Sequence, residues 1–123
     1  MNKFFTFLLL IILSFFFIIG KTFSDENKIK IGILVPLTGD NAELGKQIVK
    51  ATRLALKDIN SDKIEIYPKD TQSDPNKTLS SAIELSNMNI NLVIGPVFYD
   101  NLTFLNEVQN IIFLSLTNKT LDL

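Results

Sequence analysis

The sequence predicts an α/β fold in which a parallel sheet with flanking helices is built in the order βαβαβαβ. Short apolar runs rich in β-branched residues alternate with segments whose apolar residues recur at helical spacing. The runs at 28–36 and 91–96 both end in proline, so each predicted strand has a clear stop. The segments that join these elements are short, which favours right-handed crossovers and therefore parallel strands.

The first strand and the first helix are predicted between residues 28 and 59. Residues 31–35 form an uninterrupted apolar run, as expected for a strand covered on both faces. The turn-forming stretch 37–41 follows, and apolar residues then recur at spacings of 4, 3, 4 and 4. The predicted inward stripe of this helix is Leu44, Ile48, Ala51, Ala55 and Ile59.

The second strand and helix are predicted from alternation and from capping residues. Residues 64–67 alternate apolar and polar side chains and are followed by Pro68, which indicates a short strand that ends there and that lies at the sheet edge or in a half-exposed position. Asp74 and Pro75 are typical of a helix N-cap and first helical position. A helix over 75–89 would then bury Leu79, Ala82, Ile83 and Leu85.

The third strand, third helix and fourth strand repeat the same pattern. The strand at 91–96 ends in Gly-Pro, a helix is predicted over 100–110, and residues 111–116 form the last apolar run. The residues expected to face inward from this third helix are Leu102, Leu105 and Val108.

Residues 1–24 are predicted to be a secretory signal peptide. A lysine precedes the apolar run 4–19, seven of the ten phenylalanines lie in this leader, and small residues precede a cut at Asp25. A 16-residue helix spans about 24 Å, short of a hydrocarbon core of about 30 Å. Cleavage and delivery to the periplasm are therefore expected, and an uncleaved anchor is the alternative that would give the only membrane contact.

Residues 25–123 are expected to form one small domain that is truncated. The fourth strand is apolar apart from Ser115, and no covering helix is predicted after it, so Ile112 and Leu114, or Phe113 and Leu116, would meet water. A gene fragment, or a naturally minimal domain paired with another copy, would account for the same observation.

The composition excludes several classes of function. The chain has no cysteine and no histidine, which removes thiol nucleophiles, histidine acid–base catalysis and the usual zinc sites. The ten basic and thirteen acidic residues after the leader give no basic run, so nucleic acid is not an expected partner. The segment from Gly39 to Gln47 only approximates a phosphate loop, and Asp70 with Asp74 is more typical of loop capping, so neither a cofactor nor a metal is predicted.

The candidate ligand-binding residues lie in the loops after the strands. In a parallel sheet flanked by helices, ligands meet the loops at the carboxyl ends of the strands. Turn formation, capping and core packing are the structural alternatives for the same residues. The candidates are Thr38, Gly39, Leu44, Pro96, Tyr99, Ser115, Thr117 and Asn118.

Six segments resemble the leucine-binding-protein-like branch of the type I periplasmic binding proteins, and they stand in the family's order. The resemblance implies two α/β lobes with a small polar ligand between them, of which this chain would be the N-terminal lobe. The segments are IGILVPLTG at 31–39, AELG at 42–45, ALKDIN at 55–60, DTQSDP at 70–75, IGP at 94–96 and FLS at 113–115.

Within this family the chain looks more similar to the penicillin-binding-protein activators than to amino-acid carriers. Amino-acid-binding members place an aromatic residue and a small hydroxyl residue where this chain has Leu44 and Tyr99. The glycine-rich segment that follows the first helix of transport members is absent, since 60–64 leads directly into the second strand. The resemblance therefore implies a non-catalytic regulator with a peptidoglycan synthase as partner, ahead of a solute-binding component that meets an ABC transporter permease, with an enzyme below both.

Overall fold

A computed structural model describes residues 28–117. The predicted signal peptide and the candidate Asn118 lie outside these residues. The elements, in chain order, are β1 (Ile29–Val35), α1 (Ala42–Ile59), β2 (Ile64–Asp70), α2 (Pro75–Asn87), β3 (Leu92–Ile94), two 3₁₀ helices (Tyr99–Leu102 and Leu105–Glu107) and β4 (Ile112–Leu114).

The four strands form one parallel sheet in the order β2-β1-β3-β4, which confirms the predicted α/β class. β1 lies in the middle and pairs with β2 over seven residues and with β3 over three. β2 lies at one edge, as its alternating pattern predicts. Because all four strands run the same way, the loops that follow them meet at one end of the sheet.

β2 continues through Pro68 to Asp70, so the predicted stop at the proline is wrong. The N–H of Ile29 donates to Lys63 O, and the N–H of Thr71 donates to Val35 O. In this register the odd-numbered residues of β2 bond to β1, and the nitrogen of Pro68 is directed away from it. The proline therefore costs no ladder hydrogen bond, as is typical of an edge strand.

α1 forms in the predicted segment, but it turns a different face to the sheet. Gly45 and Val49 are buried, whereas Leu44 and Ile59 of the predicted stripe are 44% and 62% exposed. A Cβ on Gly45 would lie 1.7 Å from Pro36 O, so the helix makes its closest approach at the glycine. Because of this close approach, the buried face of α1 is shifted by one residue from the predicted face, to Gly45 and Val49.

α2 begins as predicted and ends two residues early. Asp74 caps it by accepting a hydrogen bond from the N–H of Lys77 at 2.7 Å. Ala82 and Leu85 are buried as expected, but Ile83 is 45% exposed and was wrongly predicted to face inward. The buried face instead includes Thr78 and Ser81. Their hydroxyls donate to the backbone oxygens of Asp74 and Asp70, so neither hydroxyl is buried without a hydrogen-bond partner.

Two 3₁₀ helices replace the single helix predicted over 100–110. Thr103 donates both its N–H and its hydroxyl to Asp100 O, at 3.3 and 2.6 Å, which closes a three-residue turn and competes with an α-helical ladder. The predicted inward residues remain correct: Leu105 is buried, and Leu102 and Val108 pack against the core.

The core is divided between the two faces of the sheet. Leu34, Leu85 and Val93 belong to a cluster on the α2 face, and Ile33, Val35 and Val49 belong to a cluster on the α1 face. β4 is shorter than predicted, and only Phe113 packs on the core, while Ile112 and Leu114 are 66% and 52% exposed. Within residues 28–117, no helix is long and apolar enough to cross a bilayer.

Candidate functional site

Asp70 joins the first two loops at the carboxyl ends of the strands. Its Oδ1 accepts from the N–H groups of Leu37, Gln72 and Thr38 at 2.7, 2.9 and 3.3 Å, and its Oδ2 accepts from Thr38 Oγ1 at 2.6 Å. The carboxylate therefore closes the loop after β1 onto the end of β2. Sequence reasoning did not include Asp70 among the site residues, although its place at the end of a strand was the available signal.

The electrostatics of Asp70 are those of a structural anion. Burial acts to raise the pKa of this carboxyl, but the hydrogen bonds from Thr38, Leu37 and Gln72 outweigh it and hold the pKa below its usual value. A carboxylate that is held ionised and already accepts four hydrogen bonds is a poor general base. Asp70 therefore has a structural role, because its hydrogen bonds fix the conformation of the loop after β1.

The candidates on the first loop are arranged around this carboxylate. Thr38 is exposed but commits its hydroxyl and its N–H to Asp70. Gly39 follows in the left-handed region, with φ +79° and open space where a Cβ would be. Leu44 lies in the first turn of α1 and presents an apolar side chain to solvent beside the loop.

The third and fourth loops are joined at Pro96. Its carbonyl oxygen accepts from the N–H of Leu116 at 3.0 Å and from Ser115 Oγ at 3.4 Å, and Ser115 Oγ accepts from the N–H of Thr117 at 3.3 Å. Ser115 and Thr117 thus make the turn contacts that capping would require. The structure brings these two residues and Pro96 together, as predicted for one cluster of loops.

Tyr99 begins the first 3₁₀ helix and faces a cavity that sequence reasoning did not anticipate. The cavity has a volume of about 670 Å³, and Ser115 is one of the residues that line it. The signal available in sequence was the helical spacing at 100–110, which was assigned to a continuous helix. The residues that line the cavity are Tyr99, Leu102, Thr103, Leu105, Asn106, Val108, Ile111, Phe113 and Ser115.

Two other motifs have structural explanations. The close contact of Gly45 with the Pro36 carbonyl makes that glycine a packing residue, which agrees with the interpretation of the Gly39–Gln47 segment as a near miss for a phosphate loop. In the described part of the chain, no three acidic side chains are grouped so that they could hold a metal ion.

A family model described as periplasmic binding protein matches residues 28–121. Leu/Ile/Val-binding protein homolog 1 from Brucella abortus is 37% identical over 82 residues, which cover 62% of this chain and 21% of that protein. A solute-binding protein of an ABC transporter from Rhodopseudomonas palustris, solved with 3,4-dihydroxybenzoic acid, is 34% identical with a TM-score of 0.58. That match covers 61% of this chain and 22% of the other.

Full-length LpoA from Haemophilus influenzae is similar in fold, with a TM-score of 0.59, 24% identity and coverage of 72% of this chain and 16% of its own. The C-domain of LpoA, described as a regulator of PBP1A, gives a TM-score of 0.59 at 23% identity. The chain spans about a fifth of the length of the curated relatives it matches. Because the family model covers most of the chain and the parallel sheet has the architecture of a type I lobe, the chain belongs to the periplasmic binding protein family, in its leucine-binding-like branch.

Proposed function

We propose that this chain is the N-terminal lobe of a non-catalytic, extracytoplasmic binding protein that regulates a peptidoglycan synthase. The family is made up of substrate-binding or regulatory proteins, which supports the general class. The predicted signal peptide supports a periplasmic location. The observation that carries the regulatory role is the engagement of Thr38 by Asp70.

A free α-carboxylate in a cleft needs charge-assisted hydrogen bonds from hydroxyl and N–H donors. On the first loop, the N–H groups of Leu37 and Thr38 and the hydroxyl of Thr38 all donate to Asp70. An incoming carboxylate would have to displace an internal one from these donors. The loop therefore suits contact with a protein surface better than capture of an amino acid.

Three side chains at other positions after the strands support the same role. Leu44 exposes an apolar side chain where amino-acid-binding relatives are expected to place an aromatic one, and Tyr99 stands where a small hydroxyl is expected. An exposed leucine and a half-buried tyrosine beside polar turns are a composition found in protein interfaces, where aromatic residues are enriched. The hydroxyl of Ser115 is directed to Pro96 O, which reduces its availability to a solute.

A second candidate is solute capture for an ABC transporter. The relatives that are 37% and 34% identical are a Leu/Ile/Val-binding protein homolog and a solute-binding protein, and this observation favours transport. An aromatic acid such as the ligand of the Rhodopseudomonas protein has a carboxylate and no ammonium group. Such a ligand would suit Leu44 and Tyr99 better than an amino acid.

The test compares partner binding with solute binding in the complete gene product. We expect a purified bifunctional peptidoglycan synthase to retain the protein in a pull-down, and calorimetric titration with leucine, glutamate or benzoate to give no heat. Leu44→Glu should abolish retention, while Ile83→Glu, at a similarly exposed site on α2, should leave it unchanged. Micromolar binding of leucine or benzoate without retention by the synthase would overturn the regulatory proposal and favour transport.

A further inference from the structure

One flank of α1 carries four cations. Lys46, Lys50, Arg53 and Lys57 recur at spacings of 4, 3 and 4, so they lie on one side of the helix, next to its buried face. All four are exposed. At about 1.5 Å per residue, the row extends for about 16 Å along the helix.

The row borders a groove of about 490 Å³. Leu37, Val49, Leu54 and Pro68 supply an apolar lining, and the four basic side chains complete it. Among the described residues that line this groove, none is acidic. The groove therefore combines a concave apolar surface with charges of one sign. A helix face that is evenly exposed to solvent has no such concave apolar lining.

The charge of the row is not neutralised within residues 28–117. Neither of the two ion pairs found there, Lys28 with Glu65 and Lys69 with Glu84, includes any of the four cations. Glu43 on the same helix accepts a hydrogen bond from Gln47, which is not one of the four. The four like charges therefore add to a positive potential over the groove, on a chain whose overall charge is slightly negative.

We propose that this groove, which we call the basic groove, is a docking site for an acidic, partly apolar peptide segment of a partner protein. Carboxylates of such a segment complement the cations, and its apolar side chains complement the lining. A length of 16 Å corresponds to about five residues of extended chain or three turns of helix. The match is one of charge and of apolar contact.

The shape of the basic groove argues for a peptide over other anionic partners. A bilayer surface is broad and would leave a concave groove unfilled. Single-stranded nucleic acid uses aromatic side chains for base stacking, and no aromatic residue is among the described groove residues. Addition of a strand to the β2 edge is disfavoured because Pro68 supplies no N–H on its outward side. The segment is therefore held through side chains.

This inference goes beyond the proposed function and does not depend on it. Of the described residues that line the groove, Leu37 lies in the first loop and the others lie on α1 and at Pro68. The side chains of the regulatory proposal, Leu44, Tyr99 and Ser115, are not among them. Substitutions at Lys46, Lys50 and Arg53 leave the Asp70 hydrogen bonds untouched. Failure of one proposal is thus distinguishable from failure of the other.

The test uses the full chain and a fluorescein-labelled dodecapeptide of alternating glutamate and leucine, with binding followed by fluorescence anisotropy. We expect saturable binding that weakens between 50 and 300 mM salt. The triple variant Lys46→Glu/Lys50→Glu/Arg53→Glu should raise the Kd at least tenfold. The matched triple variant Lys30→Glu/Lys63→Glu/Lys77→Glu makes the same charge change elsewhere and should alter the Kd less than twofold.

Control peptides, a folding check and two other anionic partners separate the alternatives. Peptides of alternating glutamine and leucine, and of glutamate and serine, should each bind at least tenfold more weakly, because one removes the charge and the other the apolar contacts. Far-UV circular dichroism identifies a variant that fails to fold, in which case lysine-to-glutamine and arginine-to-glutamine changes at the same positions replace it. Equal loss of binding in both triple variants, or binding to phosphatidylglycerol vesicles or single-stranded DNA with none to the peptide, would overturn the proposal.

Discussion

Replacing Gly45 by alanine tests the packing of α1 on the loop after β1. The added Cβ would lie 1.7 Å from Pro36 O and 2.6 Å from Pro36 C, whereas ordinary contact begins at 3.4 Å. Both contacts are with backbone atoms, so the helix must move by about 1.7 Å to relieve them. Overpacking of this kind costs about 3 kcal/mol, and the better helix propensity of alanine recovers about 1 kcal/mol.

We therefore expect Gly45→Ala to lower the free energy of unfolding by about 2 kcal/mol, and the Tm by about 8 to 16 °C. Urea denaturation followed by far-UV circular dichroism measures the first quantity. Ala51→Gly serves as the control, because the residue is exposed on the same helix and its loss of about 1 kcal/mol reports propensity alone. A Gly45→Ala protein as stable as the parent would refute the argument that the glycine is required by close approach.

Three further predictions concern single side chains. Asp70→Asn should lower stability by about 1 to 2 kcal/mol at pH 7, because the carboxylate accepts four hydrogen bonds while partly exposed. Its pKa is lowered in the folded state, so this contribution is present above pH 3.8 and is lost as the pH falls through the folded pKa. In urea titrations, the stability gap between parent and variant should therefore be smaller at pH 2.5 than at pH 7, and a constant gap would contradict this. Asp74→Ala should cost about 1 kcal/mol through loss of the α2 N-cap, measured by the same denaturation, and an unchanged midpoint would show that the cap contributes nothing. Ile112→Lys should change stability by less than about 0.5 kcal/mol and reduce light scattering on concentration, because the side chain is 66% exposed; a large loss would mean that it is packed.

The order of the elements could be predicted because the relevant signals are local. Apolar runs that stop at Pro36 and at Gly95-Pro96, and the Asp74-Pro75 cap, are read within a few residues of chain. The buried face of α1 could not be predicted in this way, because the helix carries apolar residues on two faces. Which one packs inward is decided by the contact between Gly45 and Pro36, and this contact depends on how close the two elements lie.

The candidate site could likewise be predicted only in part. That Thr38, Pro96 and Ser115 lie in loops at one end of the sheet follows from the strand order, and the structure agrees. The role of Asp70 was missed because a carboxylate that accepts from Leu37 and Thr38 is recognised only when β1 and β2 are paired. The cavity beside Tyr99 depends on a 3₁₀ conformation that helical spacing does not distinguish from an α-helix.

The central position of β1 sets a delay in the folding of the chain during synthesis. Ile29 pairs with a residue 35 positions later, and Ile31 pairs with Leu92, 61 positions later. At about 5 to 20 residues per second, β1 emerges about 3 to 12 seconds before β3, its second neighbour, has been synthesised. During that interval the backbone groups and apolar side chains of β1 cannot form their native contacts with β3. A factor that shields residues 29–35 would therefore increase the yield of folded protein more than one that acts on any later strand.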